Sequence, residues 1–377
     1  MDEGCFAAVF LCPFFGYLLA KHAPLFCITE SGGKKMNLNL WGHIPDYENR
    51  AGIPARVTAV HKERYQIICE HGETYARLKT REYFFDGEIF PTTGDFVMVD
   101  YVPNGDSRIL STLPRRTYFA RRDPDAARGE QAVAANFDYV FIMQSLNMDF
   151  NPRRLERYLA EARQSGAEPV ILLTKADLVQ DYSDYITKVD RVAAGIRLHV
   201  ISARTGYGIK SLDEYLAPGK TVVFLGSSGV GKSSLVNALA GLEIMSFGEI
   251  RKRDSKGRHT TTHRQLIMLP SGAMLIDTPG MRELGLWCVD SGLSDTFSDV
   301  EQFLGQCRFS DCRHDREPGC AIKKALESGE LSADRWASYQ KLQSESRSSA
   351  AAKIMMAKQK LRKDSRRKNS SAFYGKI

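Results

Sequence analysis

The pattern of apolar and polar positions changes character twice along the chain. From Ile53 to about Leu113 it is made of short runs, Arg56–Val60, Tyr65–Cys69, Thr74–Leu78, Phe96–Val102 and Arg108–Thr112, punctuated by Gly72, Gly94 and Gly105. Such runs bounded by turn residues read as strands. Five of them in about 60 residues predict a small β-barrel. From Asp138 onward, the apolar runs Tyr139–Met143, Val170–Leu173, Leu198–Ile201, Val222–Leu225, Leu266–Leu269 and Met274–Ile276 alternate with helix-like stretches at Arg153–Ser165, Asp184–Ala194 and Lys232–Ala240. That alternation predicts a three-layer α/β domain. After Gly285 the text is helical and polar, and beyond about Ser344 it is Ser-, Ala- and Lys-rich, an exposed helix fraying into disorder. There is no internal repeat.

Composition and charge change this picture only locally. Hydrophobic residues are 43% of the 377 and charged ones 26%, as in a soluble folded protein. The net charge is +7, yet residues 353–377 hold nine Lys or Arg against one acid, Asp364, so the tail carries +8 and the rest is close to neutral. A uniformly basic body is excluded. The longest apolar stretch, Phe6–Ala20, is shorter than the ~18 residues of a membrane span and follows Asp2 and Glu3 rather than a basic leader. Residues 1–35 are therefore expected to be a non-native or disordered leader, with Met36 the better start. Of eight cysteines, Cys5, Cys12 and Cys27 lie in that leader and Cys69 and Cys288 stand alone. Cys307, Cys312 and Cys320 fall within 14 residues around His314, which suggests a metal site in a reducing compartment rather than a disulfide framework.

The densest chemistry is Gly226-Ser227-Ser228-Gly229-Val230-Gly231-Lys232-Ser233-Ser234, which follows an apolar strand and opens a helix. This is the phosphate-loop pattern in the context it requires. The glycines let successive backbone N–H groups curl toward phosphate oxygens. Lys232 is expected to reach the β- and γ-phosphates, and the Ser233 hydroxyl to ligate Mg²⁺. Asp277-Thr278-Pro279-Gly280 ends the strand Met274–Ile276, where an acid suits the Mg²⁺ side of such sites and Gly280 offers an N–H to the γ-phosphate.

Thr174-Lys175-Ala176-Asp177 closes another apolar strand. Guanine presents two adjacent donors, N1–H and N2–H₂, which one carboxylate, Asp177, accepts. Adenine lacks that pair, and the unpaired carboxylate penalises it. The Lys175 stem packs along the base plane. Ser202-Ala203, after the run Leu198–Ile201, reads as the second guanine-contacting element. GTP and GDP are therefore expected over ATP.

These elements stand in an unusual order, with the guanine motifs at 174–177 and 202–203 before the phosphate loop at 226–233. Conventional GTPases run the other way, so the domain reads as a circular permutation, which nearby surface termini permit. Together with Gly257-Arg258-His259-Thr260-Thr261-Thr262, the motifs resemble the ribosome small-subunit-dependent GTPase A family, circularly permuted GTPases of bacterial small-subunit assembly. The resemblance covers about residues 50–345 and departs from the family at Thr174, where Asn is commoner.

That resemblance implies a multidomain protein. Residues 36–116 form an N-terminal β-barrel (OB-fold) that binds RNA. Residues 117–288 form a central α/β P-loop GTPase domain, circularly permuted, and 289–345 a mainly helical zinc-binding domain. Residues 346–377 form a basic tail. One of Thr260, Thr261 or Thr262 supplies the switch threonine, Thr262 being favoured by the resemblance. Ras-like proteins place a water-orienting Gln after Asp-x-x-Gly. Here that position is Met281, so His259, with His263 behind it, is the candidate. Cys307, Cys312, His314 and Cys320 make a closed Cys₃His set for structural Zn²⁺.

Tyr65, Tyr75, Tyr83, Phe84 and Phe85 are candidates for base stacking, and Arg115, Arg116, Arg121, Arg122 and the tail for phosphate contacts. The expected protein is a cytoplasmic, monomeric GTPase that binds the small ribosomal subunit and its rRNA, assists late maturation and leaves on hydrolysis. A nucleotide-gated RNA-binding module with little catalysis is the alternative that Met281 keeps open. A membrane-linked G protein rests on Phe6–Ala20 alone.

Overall fold

In a computed structural model of the chain, the structure describes residues 26–28, 34–61, 64–79, 89–122, 130–241, 265–277 and 290–348. Tyr83–Phe85, the switch stretch with His259, His263 and Thr260–Thr262, and Gly280, Met281 and the basic tail lie outside the described residues.

The first body is a five-stranded closed barrel of β3 (Ile53–Val60), β4 (Tyr65–Cys69), β5 (Gly72–Leu78), β6 (Phe96–Asp100) and β7 (Ser107–Thr112). The ring runs β3-β4-β5-β7-β6 and closes through β3–β6; only the β5–β7 pairing is parallel. This is the OB-fold arrangement. β6 covers β3 only from Ile53 to Arg56. Ala55, Val57, Ile67, Val97, Val99 and Ile109 fill its interior, fully buried.

The second body is a six-stranded sheet. β10 (Tyr139–Ser145), β11 (Glu168–Thr174), β12 (Arg197–Val200), β13 (Thr221–Gly226) and β15 (Met274–Asp277) are parallel, and β14 (Gln265–Met268) is antiparallel to β15. The order is β12-β11-β10-β13-β15-β14. Alternate residues of each central strand enter different cores: Val140 and Ile142 lie on one face, Phe141 and Met143 on the other. Such a sheet, covered on both faces, explains why its strands read as apolar runs. Helices α1 (Pro152–Gln164), α2 (Ser183–Ala193) and α3 (Lys232–Ala240) supply those layers. Asn151 starts α1 by accepting from Arg154 N–H at 3.2 Å, with Pro152 at the first helical position.

The two bodies share one continuous sheet, joined where Gln265 of β14 pairs with Ala59 of β3. The seam is held by Arg56, a barrel residue whose side chain is completely buried. Its guanidinium donates to Asn136 O and Thr221 Oγ1, both at 3.0 Å, to Gly94 O at 3.3 Å, and to Trp41 O. Burial pushes its pKa down to about 9, against the pull of Asp138. Its N–H groups are satisfied across the seam, which a buried cation requires.

The third body is helical: α4 (Asp290–Thr296), α5 (Ser298–Glu301), α6 (Ala321–Ser328) and α7 (residues 333–348) surround Phe297, Val300, Ile322 and Leu342. It packs on α1 closely enough that Gly292 is required: a Cβ there would stand 2.0 Å from Ala160 O.

One expectation is corrected. The stretch Arg115–Arg122, expected to offer phosphate contacts, is partly committed inside the fold. β8 (Tyr118–Arg122) pairs with β9 (Glu130–Ala135), and Arg115 forms a two-pronged pair with the buried Asp95 at 2.7 and 2.8 Å. Burial raises the Asp95 pKa even against the hydrogen bonds and charge of Arg115, and the contact commits Arg115 internally. Of the leader, residues 26–28 and 34–35 are described. β1 (Phe26–Ile28) pairs with β2 (Lys34–Met36), and Met36 N–H donates to Glu70 O at 2.8 Å, adding the hairpin to the barrel. Tyr65 belongs to the barrel core, whereas Tyr75 is exposed.

Candidate nucleotide site and metal centre

The predicted nucleotide elements among the described residues converge on one edge of the parallel sheet. Thr174 ends β11, Ser202 and Ala203 follow β12, Gly226 ends β13, and Asp277 ends β15. Ligands of open α/β sheets bind outside these carboxyl ends.

The loop between Gly226 and Gly231 turns sharply into α3. Gly229 and Gly231 take φ of +72° and +110°, which side-chain-bearing residues rarely adopt. Lys232 folds back so that Nζ donates to Gly226 O at 2.7 Å and Ser227 O at 3.1 Å. Its ammonium thus stands over the loop, with Ser233 and Ser234 beginning the helix behind it. A helix N-terminus preceded by such a loop directs N–H groups and positive dipole at one point, a fit to phosphate oxygens. Ser228 and Gly229 are exposed and Val230 is buried, pinning the loop to the core.

The elements predicted to read the base are bound to this loop directly. Thr174 is buried, and its hydroxyl donates to Val230 O at 2.6 Å. Lys175 is left-handed, φ +61°, turning the chain so that Asp177 follows in a short 3-10 helix. Ser202, fully buried, donates to Asp177 Oδ1 at 2.5 Å, while Arg204 meets Oδ2 at 2.7 Å. The Ser202 hydrogen bond, foremost, and Arg204 keep the Asp177 carboxyl below its ordinary range, so it is an anion. Thr174, Lys175, Asp177, Ala203, Gly231 and Ser234 face one cavity of ≈ 510 Å³, within the size of small-ligand sites.

The cysteines and histidine predicted as ligands also meet. Their donor atoms lie within 4.8 Å of one another. Cys307 Sγ and Cys320 Sγ are each 3.5 Å from His314 Nδ1 and 4.0 Å apart. Tetrahedral zinc, with bonds of about 2.3 Å to sulfur and 2.0 Å to nitrogen, needs separations of roughly 3.8 and 3.6 Å. The set fits Zn²⁺ and leaves no open position. Glu317 accepts from Arg313, Asp315 and Arg316 N–H, each at 3.0 Å, and these bonds hold its pKa down to about 2. That carboxylate shapes the loop presenting His314.

The model of the RsgA GTPase family matches residues 112–287. A small ribosomal subunit biogenesis GTPase RsgA 1 of Listeria monocytogenes is 48% identical over 291 residues, covering 77% of this chain and 82% of the relative. That of Opitutus terrae is 44% identical over 318 residues, covering 81% and 86%. The chain belongs to the RsgA GTPase family. The solved structure of YjeQ from Thermotoga maritima superposes with a TM-score of 0.58 at 27% identity, covering 78% of this chain and 98% of that one. YloQ, a circularly permuted GTPase, gives 0.54 at 25%, covering 81% and 98%. The permuted order read from the motifs is thus that of the RsgA fold.

Sequence reasoning missed two residues at the RsgA-type site. Asp149, in the loop leading to α1, accepts from the Ser227 hydroxyl of the phosphate loop and pairs with Arg154 at 2.9 Å. Burial opposes its ionisation, but these two contacts win and lower its pKa. Arg204 was missed because one exposed arginine after Ser202-Ala203 carries no signal of its own. Of Asp277 the backbone places the residue at the correct strand end.

Proposed function

We propose that this chain hydrolyses GTP to GDP and phosphate at Gly226–Ser234, and in the GTP state binds the assembling small ribosomal subunit and its rRNA. Hydrolysis releases it. The observation that carries this reading is the hydrogen bond from Thr174 to Val230 O, which locks the base-reading strand to the phosphate loop at 2.6 Å. Asp177 and Ser202-Ala203 select guanine, the loop N–H groups and Lys232 hold the phosphates, and Ser233 with Asp277 holds Mg²⁺. Mg²⁺ held there by Ser233 and Asp277 would supply positive charge to offset that of the phosphates. The Cys₃His set holds a structural Zn²⁺.

Thr262 supplies the switch contact, Gly280 a γ-phosphate N–H, and His259 orients the attacking water, since Met281 has no group to do so. Subunit binding orders that switch and accelerates turnover. The barrel, 36–116, and the tail, 346–377, contact RNA, flanking the GTPase at 117–288 and the zinc domain at 289–345. The protein acts as a cytoplasmic monomer. Among the described residues no helix is long and apolar enough to cross a membrane.

The test is co-sedimentation with small subunits under GTP, GDP and a non-hydrolysable analogue, paired with phosphate release with and without subunits. Retention under the analogue, loss under GDP and faster turnover with subunits are expected. Binding indifferent to the nucleotide, or turnover indifferent to subunits, would overturn the reading.

A further inference from the structure

We propose that Arg204 competes with the guanine base for Asp177, and so sets how strictly the pocket separates guanine from bases that offer a single donor. The inference rests on Asp177 being the base reader. Both its oxygens are already engaged: Ser202 holds Oδ1 at 2.5 Å and Arg204 holds Oδ2 at 2.7 Å. Asp177 and Arg204 line the same cavity. The guanidinium therefore stands where the base must present its donors.

The chemistry of the two competitors is alike. A guanidinium is a planar N–C(–N)–N unit with N–H donors on its rim, and it suits a carboxylate for that reason. The N1–C2–N2 edge of guanine contains the same unit. A base with both donors replaces Arg204 on Oδ2. Hypoxanthine, which keeps N1–H and lacks the 2-amino group, satisfies one oxygen and leaves Arg204 in place. Adenine has neither donor there.

The swap needs only a side-chain movement. The turn that presents Arg204 is fixed by Ser202 N–H to Tyr207 O at 2.9 Å, Gly206 N–H to Ser202 O at 2.9 Å, and Thr205 N–H to Ser202 Oγ at 3.3 Å. Ser202 is fully buried, while the Arg204 side chain is 74% exposed. The backbone stays and the arginine swings into water. An exposed ion pair of this kind is worth about 2- to 5-fold in affinity.

The experiment titrates the full chain, wild type and Arg204→Ala and Arg204→Met, with GDP, IDP and ADP by calorimetry at low and high salt. Expected are a GDP affinity about 2- to 5-fold tighter in both variants, an unchanged IDP affinity, and a smaller GDP gain at high salt, where the ion pair is screened. A GDP affinity that is unchanged or weaker in the variants, or a shift equal for GDP and IDP, would overturn the proposal; a loss confined to alanine would show the stem supporting the base instead. Wild-type protein binding GDP and ADP equally would sink the guanine reading itself, a different failure.

Discussion

Arg335, on the C-terminal helix α7, lies 2.6 Å from Glu156 on α1 of the GTPase body, and both side chains are almost wholly buried. The same guanidinium donates to Thr296 O at 2.7 Å and Asp299 Oδ1 at 2.8 Å, and sits 4.1 Å over the Phe297 ring. One arginine therefore binds the C-terminal body to α1, the helix that follows the loop carrying Asp149 beside Ser227.

Removing one partner of a buried pair costs about 3–5 kcal/mol, because the other charge is left unpaired. Arg335→Met is expected to destabilise the contact between α1 and the C-terminal helices by an amount of that order. Thermal unfolding should show an earlier transition, and limited proteolysis should cut first in residues 290–348. GDP affinity should stay within about two-fold, since the pocket is not touched.

Thr174→Val removes the hydroxyl that donates to Val230 O. A net hydrogen bond is worth about 0.5–1.5 kcal/mol, so GDP affinity should fall about 2- to 10-fold, while Thr174→Ser keeps most of it. Calorimetric titration reads this directly. An unaltered valine variant would mean that the two motifs are positioned by packing alone.

Glu161 on α1 is buried, and among the described residues neither carboxyl oxygen has a hydrogen-bond partner. Burial pushes its pKa up to about 8, opposed by Arg157 and reinforced by Glu345. An acid whose folded pKa is raised is protonated in the folded chain while the unfolded chain has already lost the proton. Its penalty is absent below about pH 4.5, grows as pH rises, and levels off near pH 8. Glu161→Gln should match wild type at pH 4 and exceed it at pH 8 by about 2 kcal/mol or more, measured by denaturant unfolding at several pH values.

Chelation of zinc, or Cys312→Ser, should unfold residues 290–348 while sparing GDP binding. Four ligands from one short loop and the start of α6 close a site whose binding energy is folding energy. Loss of helical circular dichroism with retained GDP titration is the expected pair of results. Cooperative loss of both would show that the zinc body and the GTPase fold as one unit.

What the sequence determined by itself is the chemistry that contiguous residues build. A phosphate cradle is made of successive backbone N–H groups, so Gly226–Ser233 is legible as a string. The Cys307–Cys320 cluster is legible because its four ligands fall within 14 residues. The strands are legible because a two-faced core demands runs such as Val170–Leu173. Tertiary structure alone decided which distant groups meet. Arg56 and Thr221, Arg335 and Glu156, and Arg115 and Asp95 are ordinary charges or hydroxyls until packing places them together, away from water. Arg115 is the instructive case. Beside three other arginines it reads as a phosphate contact, yet a buried aspartate twenty residues earlier claims it. The permuted order belonged to the sequence. The joints that turn three bodies into one molecule belonged to the fold, because desolvation, which makes a buried pair matter, has no trace in a residue's neighbours along the chain.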